Sequence, residues 1–350
     1  MYPALAVLQA EKNKDIEVLW VGSEDGLEAD LVKRAGIEFR GIPAAGLHGV
    51  NVLSLPGRVI KLVKGYFAAG KIIREFKPDV MFFTGGYVGF PVAMAGRKIP
   101  SVLFVPDIEP GMALNSLSKN ADVITVVCRD SVNYFKDPEK IRITGYPTRE
   151  DIRQWDRAKA LEVFGLSDDL PVLFVFGGSK GARSINQALK ANLGGLLPRC
   201  QIIHVTGTTD WEDMQQFYNG LSDAEKRNYK IFPYLHEEMG AAFSAADLII
   251  SRAGASTLGE FPLFGVPAIL VPYPYAWRYQ KVNADYLVSK NAALMIKDEE
   301  LSAKMAGTVT DLLDHPEKLS AMKAAMKSLA MPDAAKNILD ILKSAAKKEF

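Results

Sequence analysis

The stretch PVLFVFGGSKGARSINQAL sets Gly177, Gly178 and Gly181 between an apolar, strand-like run and a helical one. Glycines at such a junction let the backbone bend and approach a ligand, while the first N–H groups of the helix point at whatever sits there. That arrangement is an anion seat. Ser179 adds a hydroxyl donor, so a phosphate or diphosphate is the fitting guest. The stretch lacks the Gly-Lys-Ser/Thr ending of a P-loop. It also departs from G-x-G-x-x-G, with Ser179 and Ala182 at the second and third glycine positions, which argues against a dinucleotide oxidoreductase. The competing reading, that the glycines only make a tight turn for close helix packing, stays open on the residues alone.

A second junction of the same kind is DLIISRAGASTLGEFPLF. After the strand-like run, Arg252 to Ala255 form a short turn, and Glu260 falls one turn into the next helix, where a carboxylate can accept hydrogen bonds from the paired hydroxyls of a ribose. Thr257 with Glu260 equally fits an S/T-x-x-E capping box, which needs no ligand. Gln280 and Asn283 in YAWRYQKVNADYL follow a further strand end, where an amide suits sugar hydroxyls and an ordinary surface helix is the alternative. In the first half, Gly85, Gly86 and Tyr87 follow the run DVMFF, while Asp107 and Glu109 follow SVLFV. A lone acid at a strand end can act as a general base or cap the next helix. His204 lies inside a strand pattern, where a buried histidine is expected. His236 opens a helix, and His48 belongs to a loop. No Asp-x-Asp pair follows a strand, so no required divalent ion is expected.

These residues need a scaffold that brings strand ends together. Eight short apolar runs, IEVLWVG, DVMFFTGG, SVLFVPD, DVITVVC, PVLFVFGGS, QIIHVTG, DLIIS and PAILVPYP, alternate with helical stretches, the pattern of parallel sheets with crossover helices. At 350 residues, 48% of them apolar, the chain has enough material for two such domains. The segment RITGYPTREDIRQW supplies the boundary, giving domains over 1–147 and 148–330 and a terminal helical segment over 331–350 that packs back on the first. Ligands in such sheets bind outside the carboxyl ends of the strands, here in the cleft between the halves.

With 42 basic and 41 acidic residues the charges cancel, against nucleic-acid binding by overall charge. Cys128 and Cys200 are too few and too far apart for a disulfide framework or a zinc site, so both are expected to be buried in a reducing compartment. No apolar run reaches the roughly 20 residues needed to cross a bilayer. Residues 50–77 mix Val59, Ile60, Val63, Tyr66 and Phe67 with Arg58, Lys61, Lys64, Lys71, Arg74 and Lys77. A helix of that kind can lie on an anionic membrane surface or pack into a core with a solvated face.

Taken in order, YPALAV, GLEADLVKRAGIEF, TGGYVGFPVA, ITGYPTR, VFGGSKGARSIN, HVTG, ADLIISRAGASTLGE and Gln280 with Asn283 resemble the MurG-type N-acetylglucosaminyltransferases nearly end to end. The resemblance implies an α/β GT-B fold, with two Rossmann-like domains facing a cleft. It implies transfer of GlcNAc from UDP-GlcNAc to a lipid-linked muramoyl-peptide diphosphate with inversion, no cofactor or essential metal, and a peripheral place on the cytoplasmic membrane face. By motif, Ser179 would contact donor phosphate, and Arg149 would lie beside the donor from the hinge strand. Ala255, Ser256, Thr257 and Glu260 would hold ribose and phosphates, His236 the uracil through its backbone, and Gln280 the sugar hydroxyls, with Asn283 beside it. Tyr279 stands where the family often has a second glutamine. Tyr2, Gly85, Gly86 and Tyr87 would lie on the acceptor side.

Two departures bear on activity. The family begins with a strand and a glycine-rich loop ending in histidine just before the segment matching Tyr2, Pro3 and Ala4. The expectation is that about a dozen upstream residues are absent here, leaving the first sheet without a central strand and activity impaired. The resemblance implies that the loop binds acceptor diphosphate and that its histidine is a candidate base, so with the loop absent the catalytic base is unassigned. In VPDIEPG, Val105 and Pro106 replace polar residues of a His-Glu-Gln-Asn run, and Asp107, which aligns with its asparagine, is a fallback candidate only. A related glycolipid synthase with another lipid acceptor, or a nucleotide-sugar-binding module without turnover, are the alternative readings.

Overall fold

Runs buried on both faces of a parallel sheet need no polar alternation, and each continuously apolar run of the sequence contributes a strand. The computed structural model describes residues 1–11, 16–24, 26, 28–46, 55–178, 180–275 and 278–347. The chain divides into an N-terminal unit, Met1–Pro147 with Asp333–Phe350, and a C-terminal unit, Thr148–Pro332.

The strands of the N-terminal unit are β1 (Leu19–Ser23), β2 (Glu38–Ile42), β3 (Met81–Phe83), β4 (Ser101–Val105), β5 (Val123–Val126) and β6 (Ile141–Ile143). Between or before them lie α1 (Tyr2–Gln9), α2 (Glu28–Arg34), α3 (Leu55–Phe76), α4 (Gly89–Ala95) and α5 (Met112–Ser118). All pairings are parallel. Among the described residues they form two sheets, β1-β2 and β3-β4-β5-β6, so β1 and β3 are each an edge. The core of the larger sheet gathers Leu103, Val105, Ile124 and Val126 under Leu114 and Leu117 of α5.

In the C-terminal unit the strands are β7 (Val172–Phe176), β8 (Gln201–Val205), β9 (Tyr229–Phe232), β10 (Leu248–Ser251), β11 (Ala268–Leu270) and β12 (Ala293–Met295). Its helices are α6 (Arg157–Phe164), α7 (Arg183–Leu196), α8 (Trp211–Asn219), α9 (Asp223–Asn228), α10 (Met239–Ala245), α11 (Thr257–Phe264), α12 (Tyr279–Ser289), α13 (Leu301–Asp314) and α14 (Pro316–Ser328). The sheet runs β12-β11-β10-β7-β8-β9, all parallel. Helix α7 buries Ile185, Leu189, Leu193 and Leu196 at helical spacing against Leu173, Val175 and Ile202, and α13 buries Met305, Val309 and Leu312 in the same core. Each such side chain contributes about 1.5–3 kcal/mol on leaving water.

The chain order reverses between β7 and β10. Successive strands step one way from β7 and the other way from β10, so the two crossovers leave the sheet on opposite sides and open a crevice at the strand ends.

The last helix, α15 (Ala334–Ala346), belongs to the N-terminal unit and packs on α1 and β4. It buries Ile338, Leu339, Leu342 and Ala345, and Lys343 pairs with Glu11 just beyond α1.

Candidate functional site

Both glycine-marked junctions fall at that reversal point. From the end of β7 the chain turns through Gly177 and Gly178 to Gly181 before α7 begins. Gly178 at φ 91° and Gly181 at φ 83° occupy the left-handed region that side chains disfavour. A Cβ on Gly178 would meet no atom within 4 Å, so that side of the turn is open. Ala182, the N-cap, has no capping side chain, which leaves the first N–H groups of a 14-residue helix directed outward. Ser179 lies outside the described residues.

The second junction runs from Arg252 to Ser256, with Ala255 and Ser256 half-buried. Ser256, the N-cap of α11, makes no capping bond through its side chain. The capping-box reading of Thr257 does not hold, because Thr257 Oγ1 donates 2.6 Å to Gly254 O and is itself the first helical residue. Glu260 is therefore not used as a cap partner of Thr257. Desolvation raises its pKa to about 7, opposed by a hydrogen bond from the Ser256 hydroxyl and by the charge of Arg149. Arg149, half-buried, also lies 3.4 Å from Asp151 Oδ2.

The amide pair divides in role. Gln280 Oε1 accepts a 2.8 Å bond from the Tyr273 backbone N–H, which orients its carboxamide near the end of β11. Asn283 is wholly buried, and its Nδ2 donates 3.1 Å to Ala253 O. That residue sits under the second turn and supports it rather than presenting its amide at the surface. His236 is exposed in the turn before α10, which begins only at Met239, and its backbone N–H donates 3.3 Å to Glu238 Oε2.

A further contact ties the two junctions together. Arg252, 9% exposed, directs Nη1 to Asp298 Oδ1 at 2.5 Å and to Val271 O at 3.0 Å, and Nη2 to Ser184 Oγ at 2.8 Å. Ser184, in the first turn of α7, donates in turn to Asp298 Oδ1 at 2.7 Å. One buried guanidinium thus locks the opening of α7 to the turn that precedes α11. Nothing near Arg252 in the chain signals Asp298, so this link emerges only in the folded unit.

In the N-terminal unit, Gly85 at φ 110° and Gly86 at φ 85° follow β3, with Tyr87 exposed beside them. Asp107 is half-buried in the turn after β4, and Tyr2 is exposed on α1. Among the described residues no cluster of three or more His, Cys, Asp or Glu side chains has the arrangement of a metal site.

The chain that carries this arrangement is similar to known proteins over nearly its full length. Residues 1–124 match the glycosyltransferase family 28 N-terminal domain, and residues 172–338 the glycosyltransferase family 28 C-terminal domain. A UDP-N-acetylglucosamine-N-acetylmuramyl-(pentapeptide) pyrophosphoryl-undecaprenol N-acetylglucosamine transferase of Desulforamulus reducens is 41% identical, over 97% of this chain and 94% of its own. The chain belongs to this transferase family. The transferase of the same name from Halothermothrix orenii is 37% identical over 99% of this chain and 96% of its own. The crystal structure of Acinetobacter baumannii MurG superposes with a TM-score of 0.77 at 27% identity, covering 98% of this chain and 95% of that one. A UDP-GlcNAc 2-epimerase from Neisseria meningitidis bound to UDP-GlcNAc shares the fold at 14% identity and a TM-score of 0.68. The transferase family and the GT-B fold expected from the motifs are therefore those of this chain.

Proposed function

We propose that this transferase moves N-acetylglucosamine from UDP-GlcNAc to undecaprenyl-diphospho-muramoylpentapeptide, with its C-terminal unit as the donor site. The observation that carries this is the uncapped opening of α7 on one side of the strand reversal, with Glu260 near the start of α11 on the other. The diphosphate lies on the N–H groups of α7, assisted by Ser179 and the charge of Arg149. Ala255, Ser256 and Thr257 line the path to the ribose, whose hydroxyls donate to the Glu260 carboxylate. Gln280 offers its NH2 group to the sugar, and the His236 backbone lies toward the base. In the transfer a base takes the proton of the acceptor hydroxyl, whose oxygen attacks the anomeric carbon as the bond to the phosphate oxygen breaks. UDP departs with the electron pair, and the helix dipole and Arg149 stabilise the charge it gains. Asp107 is the fallback candidate for that base, with Tyr2, Gly85, Gly86 and Tyr87 on the acceptor side. The donor-side groups hold the diphosphate charge without a cofactor or metal ion.

Membrane association is part of the proposal, on the cytoplasmic face of the plasma membrane. Helix α3 turns Gly65 and Ala69 inward and leaves Val59, Ile60, Val63, Tyr66 and Phe67 exposed along one face. A Cβ on Gly65 would come 2.2 Å from Pro43 O, so the helix backbone approaches that segment closely there, on the side away from the exposed apolar face. Lys61, Lys64 and Lys71 are exposed on the same helix, each worth about 1 kcal/mol near an anionic surface. On the neighbouring α4, Phe90 and Met94 are exposed too. Residues 50–54 and the Leu55 side chain lie outside the described residues, as does His48. No helix among those described is long and apolar enough to cross a membrane.

The test is transfer of labelled GlcNAc from UDP-GlcNAc to a panel of lipid acceptors in vesicles. Label on the muramoyl-peptide lipid alone supports the proposal. Label on a different glycolipid acceptor favours the second reading, which Val105 and Pro106 before Asp107 motivate. Binding of UDP-GlcNAc without transfer to any acceptor contradicts both.

A further inference from the structure

The buried cluster of His204, Asn186, Thr206, Asp210 and Tyr229 lies in the C-terminal unit, apart from the residues assigned to the donor. His204 on β8 and Asn186 on α7 have no exposed surface, and Asp210 is 7% exposed. His204 Nδ1 stands 2.8 Å from Tyr229 Oη, and its Nε2 stands 3.0 Å from Asn186 Oδ1. Asn186 Nδ2 donates to Thr206 O and to Asp210 Oδ2, each at 2.9 Å.

The directions of these bonds follow from chemistry. Thr206 O and a carboxylate can only accept, so the nitrogen of Asn186 faces them and its oxygen faces His204. An amide oxygen also only accepts, so His204 carries its proton on Nε2. Its Nδ1 then holds a lone pair and accepts from the Tyr229 hydroxyl. The result is a one-way relay from Tyr229 through His204 and Asn186 to Thr206 and Asp210, with an imidazole that burial keeps neutral. Turning the Asn186 amide over would set its oxygen against two acceptors, and the Nε2–H of His204 holds it the right way round.

The far end of the relay touches the glycine turn. Thr206 O, which Asn186 grips, is also the atom a Cβ on Gly181 would strike at 2.1 Å. A Cβ on Gly207 would come within 2.3 Å of Gly181 Cα and N. The Thr206–Gly207 backbone is thus the wall against which the turn before α7 rests, and a shift of one displaces the other.

We propose that His204 is a positioning residue for the donor: acting through Asn186, it fixes Thr206–Gly207, which holds the Gly178–Gly181 turn and the opening of α7 in register with the diphosphate. The role of the turn rests on the donor-site reading above, whereas the relay that holds it does not.

The experiment compares His204→Leu, which removes the donor, with His204→Gln, which keeps an N–H toward Asn186. Leu193→Ala, on α7 but away from the turn, controls for lost stability. Amide exchange over 178–185 and 206–207 is measured without ligand, and UDP-GlcNAc affinity by calorimetry. His204→Leu is expected to weaken binding roughly tenfold or more, the size of one lost buried hydrogen bond, and to speed exchange at both segments. His204→Gln is expected to return affinity to within about threefold of the native protein. Leu193→Ala should lower stability while leaving both readouts near native. Native affinity in His204→Leu, or equal losses in Leu193→Ala, would overturn the proposal. If the native protein binds no UDP-GlcNAc, the donor reading fails instead. Exchange then still decides the relay, since unchanged protection over 178–185 in His204→Leu refutes it and lost protection sustains it. Should His204→Leu not fold, the ¹⁵N shifts of native His204 carry the test. Protonation at Nε2 alone from pH 5 to 8 agrees with the relay, and a proton on Nδ1 contradicts it.

Discussion

Replacing Glu260 by Gln separates the ribose-binding role of its carboxylate from a packing role. Burial raises the pKa of Glu260 to about 7, and only the ionised form can accept from both hydroxyls of a ribose without carrying a proton into the contact. The ionised fraction rises from ~9% at pH 6 to ~91% at pH 8 for a group titrating at 7, so affinity for UDP-GlcNAc gains about tenfold over that interval. UDP-GlcNAc suits the titration better than UDP, since its diphosphate has no terminal phosphate that protonates near pH 6. Glu260→Gln removes charge-assisted bonds worth roughly 1.5–3 kcal/mol, which weakens binding at pH 8 by ~10- to 100-fold. Its affinity should not vary with pH, so the native and variant curves draw together toward pH 6. Stability moves the opposite way. The folded pKa lies above that of the unfolded chain, so the contribution of Glu260 is full below about pH 4.5 and is lost as pH rises through 7. Glu260→Gln should therefore melt higher than the native protein at pH 8 and equally at pH 4. A flat native profile by calorimetry, or a tenfold slope that survives in Glu260→Gln, refutes the reasoning.

Asp298→Ala leaves the Arg252 guanidinium buried without its carboxylate, and urea denaturation should register a loss of about 3–5 kcal/mol. A loss under about 1 kcal/mol would mean that the ion pair does not tie the two turns. Ile60→Glu with Phe67→Glu changes side chains that are 55% and 68% exposed, so the melting temperature should hold while sedimentation with anionic vesicles falls sharply. Undiminished vesicle binding contradicts the role given to α3. Burial pushes the Cys200 thiol up to about 12, so iodoacetamide at pH 8 should label it only after urea is added, and rapid labelling of the folded protein would contradict that burial.

Six of the eight strands legible in the sequence have a neighbour on both sides, such as β4 and β7, where every residue is buried, while β1 and β3, edges among the described residues, are legible from their apolar runs alone. The run IEVLWVG yields a strand only from Leu19, because Ile16 is exposed. Four strands left no such signature: β2, β6, β9 and β12. Each lies at the outer edge of its sheet, where one side of the ladder is unpaired and residues such as Glu38, Arg142 and Lys230 are accommodated. The site was legible where chemistry is local. The glycine turn and Glu260 announce themselves within a few residues of a strand end. Arg252 with Asp298 and His204 with Tyr229 did not, because their partners are 46 and 25 residues away and meet only once the sheet has formed. Asn283 shows the converse. Its amide chemistry suits a ligand, but the fold buries the group and uses it on Ala253.

Amide hydrogen exchange with and without UDP-GlcNAc tests the donor site most directly. The account predicts protection on binding confined to the openings of α7 and α11, over 178–185 and 252–260, and lost in Glu260→Gln at pH 8. Binding that protects neither segment, or protects only the N-terminal unit, would contradict it.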